Sequence, residues 1–247
     1  MDPRITIINE RLKHVKRIIA VSSGKGGVGK SLVASALALI LARKNCRVGL
    51  FDADFTSPST HAILGVKKIQ LKEEKGVLPM QVYGFKYMSI VAYSREEALP
   101  LRGMDVSNAL IELFAVTRWG ELDFLIIDMP PGISDATLDL IKLVKGIEFL
   151  IVTTPSPLAF GTVKKLVKLM ADLKVPVVGV VENMKMKESS FIKQQVEATD
   201  LPYFGEIPFD PKIEEALGRV DLFMETVFVR KLDEAVSSSF LLSSNKL

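Results

Sequence analysis

A glycine-rich segment near the amino terminus constrains this chain more than any other feature. It reads GKGGVGKS, fits the pattern G-x4-G-K-[ST], and lies between a short apolar run and a long apolar stretch. In this pattern, backbone N–H groups surround a phosphate, the lysine contacts the β- and γ-phosphates, and the serine hydroxyl binds magnesium. The residues of this phosphate loop are Gly24, Lys25, Gly26, Gly27, Val28, Gly29, Lys30 and Ser31. We therefore predict a nucleotide-binding loop, with Lys30 on the phosphates and Ser31 on Mg²⁺.

Predicted strands and helices alternate along the whole chain, with no linker rich in Pro, Gly or Ser and no fixed-period repeat. Such alternation favours one α/β domain over residues 1–247, with a doubly wound, mostly parallel sheet and helices on both faces. Residues 1–16 are expected to form a helical arm, and residues 66–84 a hairpin excursion. Of the 247 residues, 48% are apolar, which is enough to bury one sizeable core.

The polar segments follow predicted strands, and ligands of doubly wound sheets bind at the carboxyl ends of the strands. Besides the phosphate loop, these segments are residues 52–54, 128–132, 183 and 208–210. Because the carboxyl ends of parallel strands meet at one edge of the sheet, we expect all of these segments to lie together. The sequence therefore predicts a single site at that edge.

Composition excludes several other classes of protein. The 247 residues contain one cysteine, Cys46, so one chain has no internal disulfide and no multi-cysteine metal site. No uncharged run reaches the ~18 apolar residues of a membrane span, and no secretory signal is visible. The net charge of +3 is too evenly mixed to argue for nucleic acid. We expect a cytoplasmic protein with no nucleic-acid partner and no stable membrane anchor.

Lys25 is a second lysine that a general phosphate loop does not need. The string K-G-G-x-G-K-[ST] resembles the deviant Walker A ATPases, the family of MinD, ParA and Mrp. The resemblance implies that Lys25 reaches the nucleotide of a facing subunit. It also implies a homodimer that forms through the nucleotide face, with ATP or ADP as the ligand.

Three aspartates are candidates for the magnesium and water chemistry. Asp128 ends the apolar run FLIID, where a carboxylate holds Mg²⁺ through water. Asp52 and Asp54 end an earlier strand, where period-two alternation would place both side chains on one face. The resemblance implies that Asp54 positions the attacking water, that Asp52 supports the metal shell, and that the Gly132 amide senses the γ-phosphate.

The nucleotide base is expected to be adenine, because the guanine-reading motif [NT]-K-x-D is absent. Asn183 follows a predicted strand, and its amide can both donate to and accept from the N6/N7 edge of adenine. The resemblance implies that the segment IPFD closes the base pocket, which makes Pro208 and Asp210 candidates. Leu32 stands where the family has a second hydroxyl after the loop, and it stays among the predicted nucleotide contacts.

Several further segments resemble the Mrp branch, among them LRG at 101–103, ENM at 182–184 and the IPFD segment. Mrp-type iron–sulfur carriers place C-x-x-C shortly after ENM, whereas residues 185–190 here read KMKESS.

A chain of this branch without those cysteines looks most like the archaeal ATPase-type HypB. That resemblance implies slow ATP hydrolysis and nickel delivery to nickel–iron hydrogenase, with a HypA-type nickel chaperone as partner. His14, His61 and Cys46 are far apart in the sequence, so nickel would be held by the partner.

Two other classes remain open. One is an Mrp-type iron–sulfur cluster carrier or assembly ATPase, which could use the cysteines of a partner. The other is a positioning ATPase of the MinD or ParA type, acting on a membrane or on DNA. Membrane binding needs a basic amphipathic carboxyl terminus, but Asp233 and Glu234 interrupt the apolar stripe there. DNA binding needs a basic face, and Lys164, Lys165 and Lys168 are the best cluster.

Overall fold

The structure is a computed structural model that describes residues 3–94 and 104–237. The strands are β1 Val15–Ser23, β2 Val48–Asp52, β3 Lys72–Glu73, β4 Val77–Leu78, β5 Met80–Val82, β6 Phe85–Ser89, β7 Leu122–Asp128, β8 Ile147–Thr153, β9 Val177–Lys185 and β10 Tyr203–Pro208. The helices are α1 Pro3–Leu12, α2 Lys30–Arg43, α3 Thr60–Ile63, α4 Val91–Ser94, α5 Met104–Val116, α6 Asp135–Leu143, α7 Pro157–Asp172, α8 Phe191–Glu197, α9 Lys212–Ala216, α10 Val220–Met224 and α11 Val227–Val236.

Within the described residues, eight of the strands form one sheet in the spatial order β10-β9-β8-β1-β7-β2-β6-β5. Neighbours from β10 to β6 are parallel, and only the edge strand β5 runs antiparallel, against β6. The predicted doubly wound, mostly parallel sheet is confirmed. Residues 66–84 contain a short antiparallel pair, β3 with β4, and they also supply β5 to the main sheet.

Helices cover both faces of the sheet and bury two apolar layers. One layer packs α1, α5, α6, α7 and α8 against the sheet. The other packs α2, α3, α9, α10 and α11 against the opposite face. Helix α2 is apolar on nearly every side, because it lies between the sheet and α11 and contacts both. Parallel strands buried on both faces need such continuous apolar runs, as in FLIID of β7.

The topology brings the predicted site segments to one edge of the sheet. Strand β1 is central and pairs with β7, with Val21 in register with Asp128. Strand β2 pairs with the other side of β7, and Asp52 is in register with the same Asp128. The phosphate loop and the acidic residues therefore emerge from neighbouring strands. The LRG segment at 101–103 lies outside the described residues.

Candidate nucleotide-binding site

The phosphate loop leaves β1 at Ser23 and enters α2 at Lys30. Gly27 and Gly29 have positive φ values of 75° and 83°, which a residue with a Cβ adopts only with strain. Gly29 is the residue before α2, and no side chain caps the helix. The first N–H groups of α2 therefore point toward the loop without a side-chain partner, as an anion site at a helix amino terminus requires.

The Gly29→Ala substitution should destabilise the loop, since a Cβ at this position would lie 2.3 Å from Nδ2 of Asn183. The clash adds to the strain of the positive φ, so we expect a loss of about 1–3 kcal/mol in the free energy of unfolding. Gly26→Ala is the matched control, because no atom lies within 4 Å of its added Cβ. Chemical denaturation of both variants tests this, and equal unfolding midpoints would contradict it.

Lys30 joins the loop to two of the acidic residues. Its Nζ lies 2.5 Å from Oδ1 of Asp128 and 3.8 Å from Oδ2 of Asp54, and its side chain is only 7% exposed. The ammonium also donates to the Ser31 hydroxyl at 3.3 Å. Burial raises the pKa of Asp128, and the charge of Lys30 opposes that rise. One buried cation is thus shared between two carboxylates where the loop begins its helix.

Asp128 also has the features expected of a magnesium ligand. Its Oδ2 is fully buried and has no hydrogen-bond partner among the described residues. An unpartnered carboxylate oxygen beside the Ser31 hydroxyl suits Mg²⁺, which prefers oxygen ligands and keeps several waters and phosphate oxygens. Within residues 3–94 and 104–237, no group of three or more His, Cys, Asp or Glu could hold a metal by itself. The donor set therefore fits a metal that arrives with a nucleotide.

Asp52 is buried and held by its own protein contacts. Its Oδ2 accepts from the N–H and the hydroxyl of Thr60 at 3.2 and 2.6 Å, and its Oδ1 accepts from the Asp54 N–H at 3.2 Å. Burial, together with the charge of Asp128, raises the pKa of Asp52 to about 7. Strand β2 ends at Asp52, so the alternation that predicted a shared face does not reach Asp54. Asp54 instead turns back on its own loop, accepting from Thr56 and Ser57.

The structure places Gly132 and Lys25 on the loop side of the site. The Gly132 N–H donates to the Ser23 carbonyl at 2.8 Å, and Gly132 has a φ of 76°. Its amide is therefore engaged by the backbone just before the loop. Lys25 is exposed, and its side chain makes no ion pair with any residue that the structure describes. Sensing by Gly132 and a contact of Lys25 across a dimer remain predictions.

The predicted base-pocket residues are near the loop but have structural partners. Asn183 is 2% exposed, and its Nδ2 donates to the Val28 carbonyl at 2.9 Å, so its side chain stabilises the phosphate loop. Asp210 accepts from the N–H groups of Val227 and Phe228 and so caps α11. Pro208 ends β10. Reading of adenine by these residues remains a prediction.

Two other predicted positions have clear surroundings. Leu32 is half-buried and packs against the apolar layer around α2, and its contact with the nucleotide remains a prediction. Cys46 follows α2, close to Arg47, whose carbonyl accepts from the N–H of Asp123 near the start of β7. It therefore lies at the opposite edge of the sheet from the phosphate loop. Burial raises the pKa of Cys46, which disfavours the thiolate.

Residues 14–240 match a family model described as ParA, NUBPL iron-transfer P-loop NTPase. This chain belongs to the ParA family of P-loop NTPases. It is 37% identical over 248 residues to the iron–sulfur cluster carrier protein of Aquifex aeolicus, covering 94% of this chain and 67% of the relative. It is 35% identical over 261 residues to the carrier protein of Saccharolobus solfataricus, covering 97% and 86%. The chain spans 62% and 65% of two other curated carriers, from Pseudomonas fragi and Rickettsia felis.

Among solved structures, this ParA-family chain resembles the nucleotide-binding protein of Archaeoglobus fulgidus in complex with ADP. That match has a TM-score of 0.75 and 33% identity, and it covers 88% of this chain and 92% of the other. The predicted fold and the P-loop NTPase class are confirmed. Nucleotide with Mg²⁺ is the cofactor set of that class.

The prediction of nickel delivery to nickel–iron hydrogenase is wrong. The relatives of this ParA-family chain are named iron–sulfur cluster carriers, and the family model is described by iron transfer. The HypB branch, the HypA-type partner and the archaeal source depended on the same resemblance and are not supported. The prediction gave too much weight to the missing C-x-x-C after ENM, because the rest of the chain resembles carriers even without those cysteines.

In the part of the chain that the structure describes, no helix has the length and apolar character of a membrane span.

Sequence reasoning missed Thr60 and Tyr87, which lie behind Asp52. Thr60 hydrogen-bonds Asp52 directly, and its hydroxyl is 2.8 Å from that of Tyr87. The string SPST after Asp54 reads as an ordinary turn before a helix, so Thr60 carried no distinct signal. Tyr87 is connected to Asp52 through Thr60, and it lies near them because β6 is beside β2 in the sheet.

Proposed function

We propose that this chain is a Mg²⁺-dependent ATPase of iron–sulfur cluster transfer, which acts as a nucleotide-gated homodimer. The observation that carries the proposal is the grouping of Lys30, Asp128 and Asp54 at the phosphate loop of a ParA-family fold. The names of the relatives support iron–sulfur clusters as the cargo. Slow hydrolysis suits a protein that uses nucleotide to change state rather than to turn over substrate.

The roles of the residues follow from their contacts. The N–H groups of the loop and Lys30 would hold the phosphates, while Ser31 and Asp128 would hold Mg²⁺, which neutralises phosphate charge when bound. Asp54 would orient the attacking water, because its carboxylate lies 3.8 Å from the Lys30 ammonium that also pairs with Asp128. Asp52 would support this arrangement from behind.

A homodimer through the nucleotide face is supported by the surface around the loop. The exposed Lys25 is accompanied by two exposed apolar side chains, Ile133 at 47% and Leu158 at 84%. Ile133 follows Gly132, whose N–H donates to the Ser23 carbonyl before the loop. Leu158 lies in the first turn of α7, the helix that packs on Gly24. Exposed apolar groups beside a charge are typical of protein–protein contact sites. One self-complementary face of this kind suits a twofold dimer.

The cluster itself needs ligands that this chain does not supply at the site. Most clusters are held by four cysteine thiolates, and the single cysteine lies at the opposite edge of the sheet. Segment 185–190, where carriers of this branch place C-x-x-C, has none. We therefore propose that a partner protein supplies most or all of the thiolates, and that ATP controls its association with this chain.

The isolated protein is expected to retain no stable cluster after anaerobic reconstitution with iron and sulfide. The physical reason is the shortage of thiolates, since one partly buried cysteine per subunit cannot complete a ligand set. Iron and sulfide analysis after desalting tests this, with Cys46→Ser as the matched control. Stoichiometric iron and sulfide, with cluster absorption that is lost in Cys46→Ser, would contradict the proposal that a partner protein supplies the thiolates.

The transfer function is tested by adding a cluster-loaded scaffold protein and an apo-ferredoxin acceptor. We expect transfer to be faster with this chain and Mg²⁺-ATP than with ADP or with no nucleotide. The Lys30→Ala variant serves as the negative control. If the chain hydrolyses ATP but the transfer rates are equal with and without it, the ATPase activity stands and the role in cluster transfer is refuted.

A further inference from the structure

The carboxylate of Asp52 is clamped by one short segment of the chain. Thr60 donates to Oδ2 with both its N–H and its hydroxyl, and the Asp54 N–H donates to Oδ1. Asp52 and Thr60 are both fully buried. The orientation of this carboxylate is therefore determined by protein groups behind the nucleotide site, rather than left to the ligand.

A second buried residue, Tyr87, extends this arrangement into the neighbouring strand. Its hydroxyl lies 2.8 Å from Oγ1 of Thr60 and also hydrogen-bonds Ser89. The ionised form of Asp52 can only accept, so in that form the Thr60 hydroxyl donates to it and accepts from Tyr87. Burial holds the pKa of Tyr87 above its ordinary value, which keeps the phenol protonated as a donor. We call this chain of hydrogen bonds the Tyr87–Thr60–Asp52 relay.

Packing alone does not explain the phenol of Tyr87. Tyr87 is fully buried in the apolar layer around α2, where a phenylalanine would fill the same volume. A buried hydroxyl is costly unless it is hydrogen-bonded, and here its partners lead toward Asp52. Hydrogen bonds in series polarise one another, so the phenol strengthens the bond from Thr60 to the carboxylate.

Asp52 connects the relay to the nucleotide-binding site. Asp52 is in register with Asp128 on the adjacent strand, and it binds the N–H of Asp54. These two neighbours are the carboxylates that share the Lys30 ammonium. A shift of Asp52 would therefore move the start of the Asp54 loop relative to Lys30.

We propose that Tyr87 and Thr60 are positioning residues, which fix Asp52 and, through it, the Asp54 loop for Mg²⁺ and water. This inference rests on the proposed ATPase function and deepens it. The hydrogen bonds that the structure shows for the side chains of these two residues lead to Asp52 and Ser89, and none of them involves the phosphate loop. The relay thus sets the geometry of the metal side of the site from the interior of the sheet.

The first test uses the protein without nucleotide or metal. In Tyr87→Phe and Thr60→Val, hydrogen exchange should be faster across residues 52–63, and unchanged in the more distant strands. The matched controls are Tyr203→Phe, which removes a phenol bonded to buried Glu182, and Thr117→Val, which removes a buried hydroxyl bonded to Leu113. Exchange in residues 52–63 that equals wild type in both relay variants would overturn the proposal.

The second test measures the Mg²⁺ dependence of ATP hydrolysis. Loss of one relay bond should raise the half-saturating Mg²⁺ concentration and lower kcat, each by about fivefold. Affinity for ATP measured without Mg²⁺ should stay the same, and Thr60→Ser should restore wild-type values because it keeps the hydroxyl. A merely structural role would instead lower the unfolding temperature and leave the Mg²⁺ dependence unchanged, which would overturn the proposal.

The two tests also separate this inference from the proposed function. If the wild type shows no Mg²⁺-dependent ATP binding, the proposed function fails, and hydrogen exchange still decides whether the relay orders residues 52–63. If Tyr87→Phe does not fold, the Thr60→Val and Thr60→Ser pair gives the same comparison. A Thr60→Ser variant that behaves like Thr60→Val would refute the role of the hydroxyl.

Discussion

Replacing Lys30 with alanine is expected to weaken ATP binding by about 100-fold or more. The ammonium is the buried cation of the site, 2.5 Å from Oδ1 of Asp128. A hydrogen bond to a charged group contributes about 1.5–3 kcal/mol, so the loss of two phosphate contacts is worth at least that factor. Isothermal titration calorimetry with Mg²⁺-ATP measures it. Lys44→Ala is the control, because that lysine pairs with Asp233 on the surface.

The same variant should show a diagnostic dependence of stability on pH. Burial raises the pKa of Asp128, and removal of Lys30 takes away the charge that opposes the rise. Asp128 of the folded variant then keeps its proton to a higher pH than in the unfolded chain, so the stability of the variant falls as pH rises. Its destabilisation relative to wild type should be smaller at about pH 6 than at about pH 8. Wild-type affinity for ATP in a folded Lys30→Ala protein would refute the assigned role.

Lys25→Ala is expected to abolish the ATP-dependent dimer while leaving nucleotide binding by the monomer nearly intact. The Lys25 side chain is exposed and has no ion pair with the described residues, so its removal leaves the folded subunit unchanged. Its proposed partner is the nucleotide of the facing subunit, and ATP can favour the dimer only by binding that state more tightly. Light scattering with ADP, ATP and a slowly hydrolysed analogue measures the mass.

Asp54→Ala provides the opposing variant for this measurement. It should keep the ATP-bound dimer for longer, because the phosphate and metal contacts persist while the water loses its orienting carboxylate. The dimer should then persist with ATP itself as it does with the analogue in wild type. A Lys25→Ala protein with the wild-type response to nucleotide would show that the lysine is a bystander, leaving an ordinary P-loop ATPase.

Much of the site could be predicted because it depends on local patterns. The glycines of the phosphate loop, the lysine that begins α2 and the aspartate that ends β7 each follow from a strand–loop–helix sequence. Parallel pairing then requires these ends to meet at one edge, as the register of Val21 and Asp52 with Asp128 shows. The error over nickel arose from weighing one absent motif against a resemblance along nearly the whole chain.

Other assignments depended on contacts between residues far apart in the sequence. Asn183 is expected from its position to face the nucleotide base, which remains a prediction. The sequence did not indicate that its Nδ2 donates to the Val28 carbonyl under the loop. Asp210 shares its carboxylate with the amino terminus of α11, seventeen residues later. A buried polar group takes the nearest donor or acceptor in the folded chain, and that partner is invisible in local sequence.

By itself, the sequence determined the fold class, the phosphate loop and the acidic residues at the strand ends, because periodicity and turn chemistry act over a few residues. Only the tertiary structure decided which charges share Lys30, and that Tyr87 stands behind Asp52. Those relations depend on the lateral order of β6, β2 and β7, which the sequence of a parallel sheet does not state. Crossover helices separate neighbouring strands by tens of residues, so packing selects the partners of the buried polar groups.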